Sequence, residues 1–123
     1  DGRLERDPFD HELMMVVCEA GGVVVLSGCS HHGVLNMIDA AMASFPGVPV
    51  KGLVGGFHLI GLPFYDSMAA SRREVEAIGR RILELVAGPV FTGHCPGAKG
   101  YRALESVMGD TLRPLTTGTV VEA

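Results

Sequence analysis

Three of the five histidines in this chain of 123 residues follow short apolar runs directly and have glycine neighbours. His31 lies in Gly-Cys-Ser-His-His-Gly, His58 ends Gly-Gly-Phe-His, and His94 lies in Gly-His-Cys-Pro-Gly. Side chains just beyond strand ends often form ligand and catalytic sites. Neutral imidazole is the commonest protein ligand for zinc and also binds iron and other borderline metals. The spacing therefore predicts that His31, His58 and His94 form a metal or catalytic cluster.

The residues next to these histidines leave several roles open. His32 could replace His31 as the ligand, or hold a ligand in place through a hydrogen bond. Cys29 and Cys95 lie within two residues of a site histidine, and thiolate binds zinc well. Their spacing matches no zinc-finger pattern, so small buried residues beside the site are the alternative.

Two further regions carry polar groups. Tyr65 and Asp66 stand in the loop after His58, and they either face a substrate or belong to a plain surface loop. His11, in the charged lead-in, is predicted to be an ordinary surface residue.

Composition excludes several classes of protein. The formal net charge is −4, and the one dense basic cluster, Arg72-Arg73 with Arg80-Arg81, is interspersed with glutamates, which indicates a solvated helix face rather than a nucleic-acid site. No apolar run reaches the ~18 to 20 residues of a membrane span. Three cysteines without framework spacing argue against a disulfide scaffold and favour the reducing cytoplasm.

The pattern along the chain predicts one domain over residues 1–123, of the α/β or α+β class, with a mixed sheet and helices on one face. The predicted elements, in order, are a hairpin of strands 12–19 and 23–26, a helix from residue 34, a strand 50–57, a capped helix from residue 71, a strand 90–92, a helix 99–108 and a terminal strand or hairpin within 112–121. The first strand is expected to be buried on both faces, with Cys18 in the core. Four methionines are expected to fill the core: Met14, Met15, Met37 and Met42.

Three motifs in order resemble one branch of the metallo-β-lactamase superfamily. They are Ser-Gly-Cys-Ser-His-His-Gly before an Asn-Met-Ile helix segment, Leu-Val-Gly-Gly-Phe-His-Leu, and Phe-Thr-Gly-His-Cys-Pro-Gly. That branch includes methanopterin-pathway dihydropterin-aminobenzene ribofuranosyl phosphate synthases. The resemblance covers roughly residues 10–121 and implies the C-terminal half of an αββα sandwich.

The resemblance also implies roles for the histidines. His31 and His94 match metal ligands of the C-terminal half, while His58 stands where an aspartate normally bridges two metals, so it is a ligand or a catalytic proton donor or acceptor. The family's His-x-His-x-Asp-His motif is absent from this chain. The resemblance implies a divalent metal ion, with zinc as the leading candidate and manganese and iron as alternatives.

The implied function is part of a metal-dependent hydrolase that activates water to attack an ester or phosphoester-type small molecule. This chain alone is expected to be inactive, as a truncated or cleaved piece completed by a missing N-terminal half or by a second copy. The alternative is a non-catalytic metal-binding or interaction module that self-associates through an uncovered sheet face.

Overall fold

A computed structural model describes residues 5, 6, 8, 10–61 and 67–122 of the chain. The described residues form a mixed sheet and three helices, which confirms the predicted α/β (α+β) class. The elements in chain order are β1 (Met14–Glu19), β2 (Gly22–Ser27), α1 (Val34–Ser44), β3 (Val50–Gly55), α2 (Arg72–Leu85), β4 (Val90–Thr92), α3 (Gly97–Met108), a 3₁₀ turn (Gly109–Thr111) and β5 (Leu112–Pro114).

The strands lie side by side in sequence order, β1-β2-β3-β4-β5. β1 and β2 form the predicted antiparallel hairpin, and the remaining neighbours pair in parallel. Parallel neighbours require a crossover connection, which α1, α2 and α3 provide in turn. Consequently β2, β3 and β4 end at the same edge of the sheet.

Local sequence explains where the second helix begins. Ser71 is its N-cap and forms a capping box with Glu74, as the Ser-x-x-Glu pattern predicts. The Ser71 Oγ accepts from the Glu74 N–H at 3.3 Å, and the Ser71 N–H donates to the Glu74 carboxylate at 2.8 Å. The arginines of this helix are exposed, and three of them pair with Glu76 or Glu84, so the predicted solvated face is confirmed: Arg72, Arg80 and Arg81.

One hydrophobic core joins the helices to one face of the sheet. Strand residues that share this face by register include Val25, Leu53 and Val90. They pack in one cluster with residues from all three helices, among them Ile38 and Ile82, and all five side chains are fully buried. The three helices therefore cover a single face.

The first strand differs from its prediction. β1 is an edge strand paired only with β2, and Met15 and Val17 remain 58% and 37% exposed. Cys18 is exposed as well, so its assignment to the core was wrong. A continuous apolar run indicates burial on both faces only when both faces are covered, and here the helices cover one.

The four methionines that were predicted to fill the core differ in burial. Met37 is buried on α1 and Met14 packs against the core, as predicted. Met15 and Met42 are exposed, so their assignment as core residues was wrong.

The opposite face of the sheet is partly covered by residues near the C-terminal end. Val121 lines a shallow cleft with Val24 and Val54, and the Arg113 guanidinium lies 5.6 Å from the centroid of the Phe91 ring. In the predicted 112–121 region, the described strand extends only over Leu112–Pro114. Of the helices that the structure describes, none has the length and apolar character needed to cross a bilayer.

Candidate functional site

The predicted site histidines lie in the loops that follow three adjacent parallel strands. His31 comes after β2, His58 after β3 and His94 after β4. β3 ends at Gly55 rather than at the predicted Phe57, although Phe57 itself is fully buried. All three histidines are exposed, so a ligand can reach them from solvent.

Main-chain hydrogen bonds connect these three loops. The Gly56 N–H donates to the Gly28 carbonyl at 2.7 Å, and the His58 N–H donates to the Cys29 carbonyl at 3.0 Å. The carbonyl of Cys95 accepts from the N–H groups of Leu59 and of the next residue, both at 3.1 Å. These backbone hydrogen bonds therefore hold the three loops beside one another.

The structure brings two of the predicted histidines into contact. The ring centroids of His31 and His58 lie 4.6 Å apart, with an angle of 86° between the ring planes. His11, predicted to be ordinary surface, is exposed, and its ring centroid lies 6.2 Å from that of His31. Three histidines from three separate segments thus form a row.

A carboxylate that the sequence analysis did not single out lies at the same place. The Oε1 and Oε2 atoms of Glu12 accept hydrogen bonds from the backbone N–H groups of His31 and His32, at 2.5 Å and 2.7 Å. Partial burial raises the pKa of the Glu12 carboxyl, but the hydrogen bonds from these two N–H groups and the two imidazoles outweigh burial, so the pKa lies below its ordinary value. Glu12 is therefore ionised at neutral pH.

Glu12 could have been found from the hairpin. Its register pairs Met14 with Ser27, so the residues before β1 must lie beside the residues after β2. An acidic residue two positions before an antiparallel strand therefore reaches the loop that carries His31.

His94 takes a different position. It lines a cleft with Gly28, Gly55 and Leu115, and its backbone is in the left-handed region with φ of 66°. Left-handed backbone is uncommon for a residue other than glycine and occurs most often where function or packing demands it.

The two cysteines beside the site are close to each other. The Cys95 Sγ lies 3.6 Å from the Cys29 carbonyl oxygen, and Cys95 is buried. Burial, together with the neighbouring Cys29, raises the pKa of the Cys95 thiol to about 12. Cys95 is thus a neutral thiol at physiological pH, as the alternative of a small buried residue beside the site expects.

A cleft of about 260 Å³ opens beside His58. Its wall is mainly apolar, with the half-buried side chains of Leu35 and Ile78, and its polar groups include His58 and Asn36. The volume is just below the ~300 Å³ at which pockets for drug-sized molecules begin. It would therefore hold one ring system of a larger ligand.

The predicted substrate-loop residues, Tyr65 and Asp66, lie outside the described residues. His32, the alternative to His31 as a ligand, is exposed, and its backbone N–H donates to Glu12.

Binding of a divalent ion requires imidazoles or other donor groups at suitable distances from one another. Two imidazoles bound to one tetrahedral zinc through bonds of about 2.1 Å have ring centroids roughly 5 Å apart. The separation of 4.6 Å between His31 and His58 is close to that value. Within the described ranges, however, no group of three or more His, Cys, Asp or Glu side chains is placed to hold one ion. The described residues therefore bring two imidazoles side by side without completing a set of metal ligands.

Comparisons with known proteins identify one similar enzyme. The chain is 26% identical over 122 residues, 99% of its length, to 7,8-dihydropterin-6-methyl-4-(β-D-ribofuranosyl)-aminobenzene-5'-phosphate synthase of Methanocaldococcus jannaschii. The aligned part is 39% of that synthase, so the chain spans about two fifths of the relative's length. An uncharacterized protein of the same organism is 31% identical over 62 residues, which are 50% of this chain and 22% of that protein.

No family model matches the chain. The assignment to the metallo-β-lactamase superfamily, made from three short motifs, is therefore wrong: the similarity that is found leads to a pterin synthase and to no model of that superfamily. Each of the three motifs has only seven residues, and motifs of this length match unrelated proteins by chance.

Proposed function

We propose that this chain carries histidines of an active site in a metal-dependent enzyme that cleaves an ester or phosphoester-type small molecule with activated water. The observation that supports this function is the contact between His31 and His58 at the common edge of three parallel strands, beside a cleft. A bound divalent ion, zinc first, would supply water that is acidic enough to ionise near neutral pH.

The chain's own groups have distinct tasks in this proposal. His31 and His58 donate imidazole nitrogens to the ion, and His58 can also exchange a proton with a molecule in the cleft that it lines. Leu35 and Ile78 offer an apolar wall for a ring of the substrate. In this proposal a second copy of the chain supplies the remaining donors.

The cytoplasm suits such an enzyme, because the three free cysteines need a reducing compartment.

A second candidate function follows from the similarity over nearly the whole chain. The similar enzyme is a synthase of a dihydropterin linked to a ribofuranosyl-aminobenzene phosphate. In this candidate the cleft beside His58 binds one of the rings of that compound, since its wall is mainly apolar with a few polar groups.

Zinc binding tests the main proposal. Isothermal titration of the purified chain with Zn²⁺ should give one site, and His31→Ala and His58→Ala should each weaken binding at least tenfold because each removes a ligand. Glu84→Gln, a change in an exposed carboxylate on α2, is the control and should bind as the wild-type chain does. Zinc affinity that is unchanged by both histidine substitutions would refute the proposed site.

Ligand binding separates the two candidates. Saturation-transfer NMR with 7,8-dihydropterin should show contact with the wild-type chain if the synthase candidate holds. Zinc-dependent release of p-nitrophenol from a p-nitrophenyl phosphoester supports the hydrolase instead. Zinc binding with neither result favours the non-catalytic metal-binding module.

A further inference from the structure

The two carboxylate oxygens of Glu12 accept hydrogen bonds from two consecutive backbone N–H groups, those of His31 and His32. The distances are 2.5 Å to the His31 nitrogen and 2.7 Å to the His32 nitrogen. Hydrogen bonds to an ionised acceptor are roughly twice as strong as those between neutral groups. A two-point contact also fixes direction, because rotation of the turn would break at least one of the two bonds.

The turn that Glu12 holds has an unusual backbone. Ser30 has φ of 57° and Gly33 has φ of 92°, so left-handed residues flank the two histidines. Successive N–H groups in such a conformation point the same way and form a small concave site for an anion. The Glu12 carboxylate occupies this site from the segment that precedes β1.

Other hydrogen bonds of this turn involve Ser30 and Asn36, whose side-chain amide donates to the His32 carbonyl at 2.6 Å. Ser30 is buried, its Oγ lies 2.8 Å from that of Ser27, and its carbonyl accepts from the Gly33 N–H at 2.9 Å. These bonds close the turn upon itself. The Glu12 bonds fix the peptide planes from which the side chains of His31 and His32 project.

From this geometry we infer that Glu12 is a positioning residue, which directs the His31 imidazole onto His58 by holding the N–H groups of the His31-His32 turn. The inference rests on the proposed function only in so far as the positioned pair is taken to bind a metal. Nothing in the positioning itself requires catalysis.

The position of the ring is tested first, without metal. In ¹⁵N-labelled chain, the amide protons of His31 and His32 should resonate downfield, and nuclear Overhauser effects should connect the rings of His31 and His58. In Glu12→Ala both amide shifts and the ring-to-ring effect should be lost. The glutamine side chain in Glu12→Gln is as long as that of glutamate and keeps one carbonyl oxygen as acceptor. One of the two amide shifts and a weakened ring contact should therefore remain.

Metal affinity provides the second measurement. Changes in groups that orient metal ligands typically cost 10-fold to 100-fold in affinity. We expect that loss in the Kd for Zn²⁺ with Glu12→Ala and a smaller loss with Glu12→Gln, whereas Glu84→Gln should leave the Kd unchanged. Circular dichroism of each variant establishes that it is folded, and Glu12→Gln carries the test if Glu12→Ala unfolds.

The outcomes separate the two proposals. A wild-type chain that binds no zinc refutes the metal site, while the ring contact still decides the role of Glu12. A folded Glu12→Ala variant that keeps the contact between His31 and His58 overturns the positioning role, whatever the zinc affinity. Loss of the ring contact in a folded variant, with the two amide shifts, supports it.

Discussion

The imidazoles of His31 and His58 meet edge to face, with centroids 4.6 Å apart. They belong to different loops, and the parallel pairing of β2 with β3 brings those loops together. The His58 N–H also donates to the Cys29 carbonyl two residues before His31. The contact between the rings therefore depends on close approach of two main chains, and residues at that approach should be sensitive to size.

Gly56 gives the first prediction. A Cβ at this position would lie 2.5 Å from the Cys95 Sγ and 3.1 Å from the Cys29 Cα. Gly56→Ala should therefore lower the free energy of unfolding by about 1 to 3 kcal/mol, since a packed region must shift. Gly28→Ala is the matched control, because a Cβ there would meet no heavy atom within 4 Å. Urea unfolding measures both, and equal stability of the two variants would contradict the predicted crowding.

The cysteines give a second prediction. With the pKa of its thiol raised to about 12 by burial, Cys95 presents only about one thiolate in ten thousand at pH 8, and it is 4% exposed. Iodoacetamide should alkylate the exposed Cys18 in the native chain and leave Cys95 unmodified, as read by peptide mass spectrometry. Both should react in urea, which is the control for intrinsic reactivity. If Cys95 in the native chain were alkylated as fast as Cys18, the loop after β4 that contains Cys95 would have to open readily.

The capping box of α2 gives a prediction for pH. A hydrogen bond from the Ser71 hydroxyl, together with its backbone N–H, lowers the pKa of the Glu74 carboxyl. A carboxyl whose pKa is lower in the folded state contributes its full stabilisation above the unfolded-state pKa, and this stabilisation is lost as the pH falls through the folded-state pKa. The wild-type chain should therefore be more stable than Glu74→Gln at neutral pH, and the difference should vanish in acid.

Urea unfolding over a series of pH values measures this difference. The same comparison in a Ser71→Ala background is the control, where the difference at neutral pH should be smaller because the main partner is gone. A difference that did not change between neutral and acidic pH would argue against the charged capping box.

The second helix also offers a test of the core. Ile82 is fully buried among the residues that join the helices to the sheet, while its neighbour Leu83 is 38% exposed. Ile82→Ala should cost about 2 to 5 kcal/mol of unfolding free energy. Leu83→Ala shortens the neighbouring side chain in a similar way and should lower the free energy of unfolding by less than about 1 kcal/mol. A reversed order in urea unfolding would place the buried face of α2 elsewhere.

Local features of the fold were predictable from sequence, because they depend on neighbours along the chain. The Ser71–Glu74 capping box, the hairpin turn and the helix that begins after Gly33 are of this kind. Burial of β1 was not predictable in the same way. The apolar run over Met14–Glu19 looks the same whether one or two faces are covered, and coverage depends on where distant helices pack.

The candidate site was predictable in part for the same reason. Strand-end placement led to His31 and His58, whose contact requires only that two parallel strands end together. Strand-end placement did not indicate that His94, with φ of 66°, would line the cleft beside Gly28 and Leu115. Glu12 was missed because its role depends on the hairpin register rather than on any motif.

The hydrogen bonds between the strand-end loops have a consequence for redesign. The hydrogen bonds that Gly56, His58 and Leu59 donate to neighbouring carbonyls are made by peptide groups, which are the same for nearly any residue type. The scaffold of this edge is thus separable from its chemistry. A carboxylate or an amide installed at position 58 would inherit the placement of the imidazole that it replaced, so new reactivity could be introduced there without rebuilding the fold.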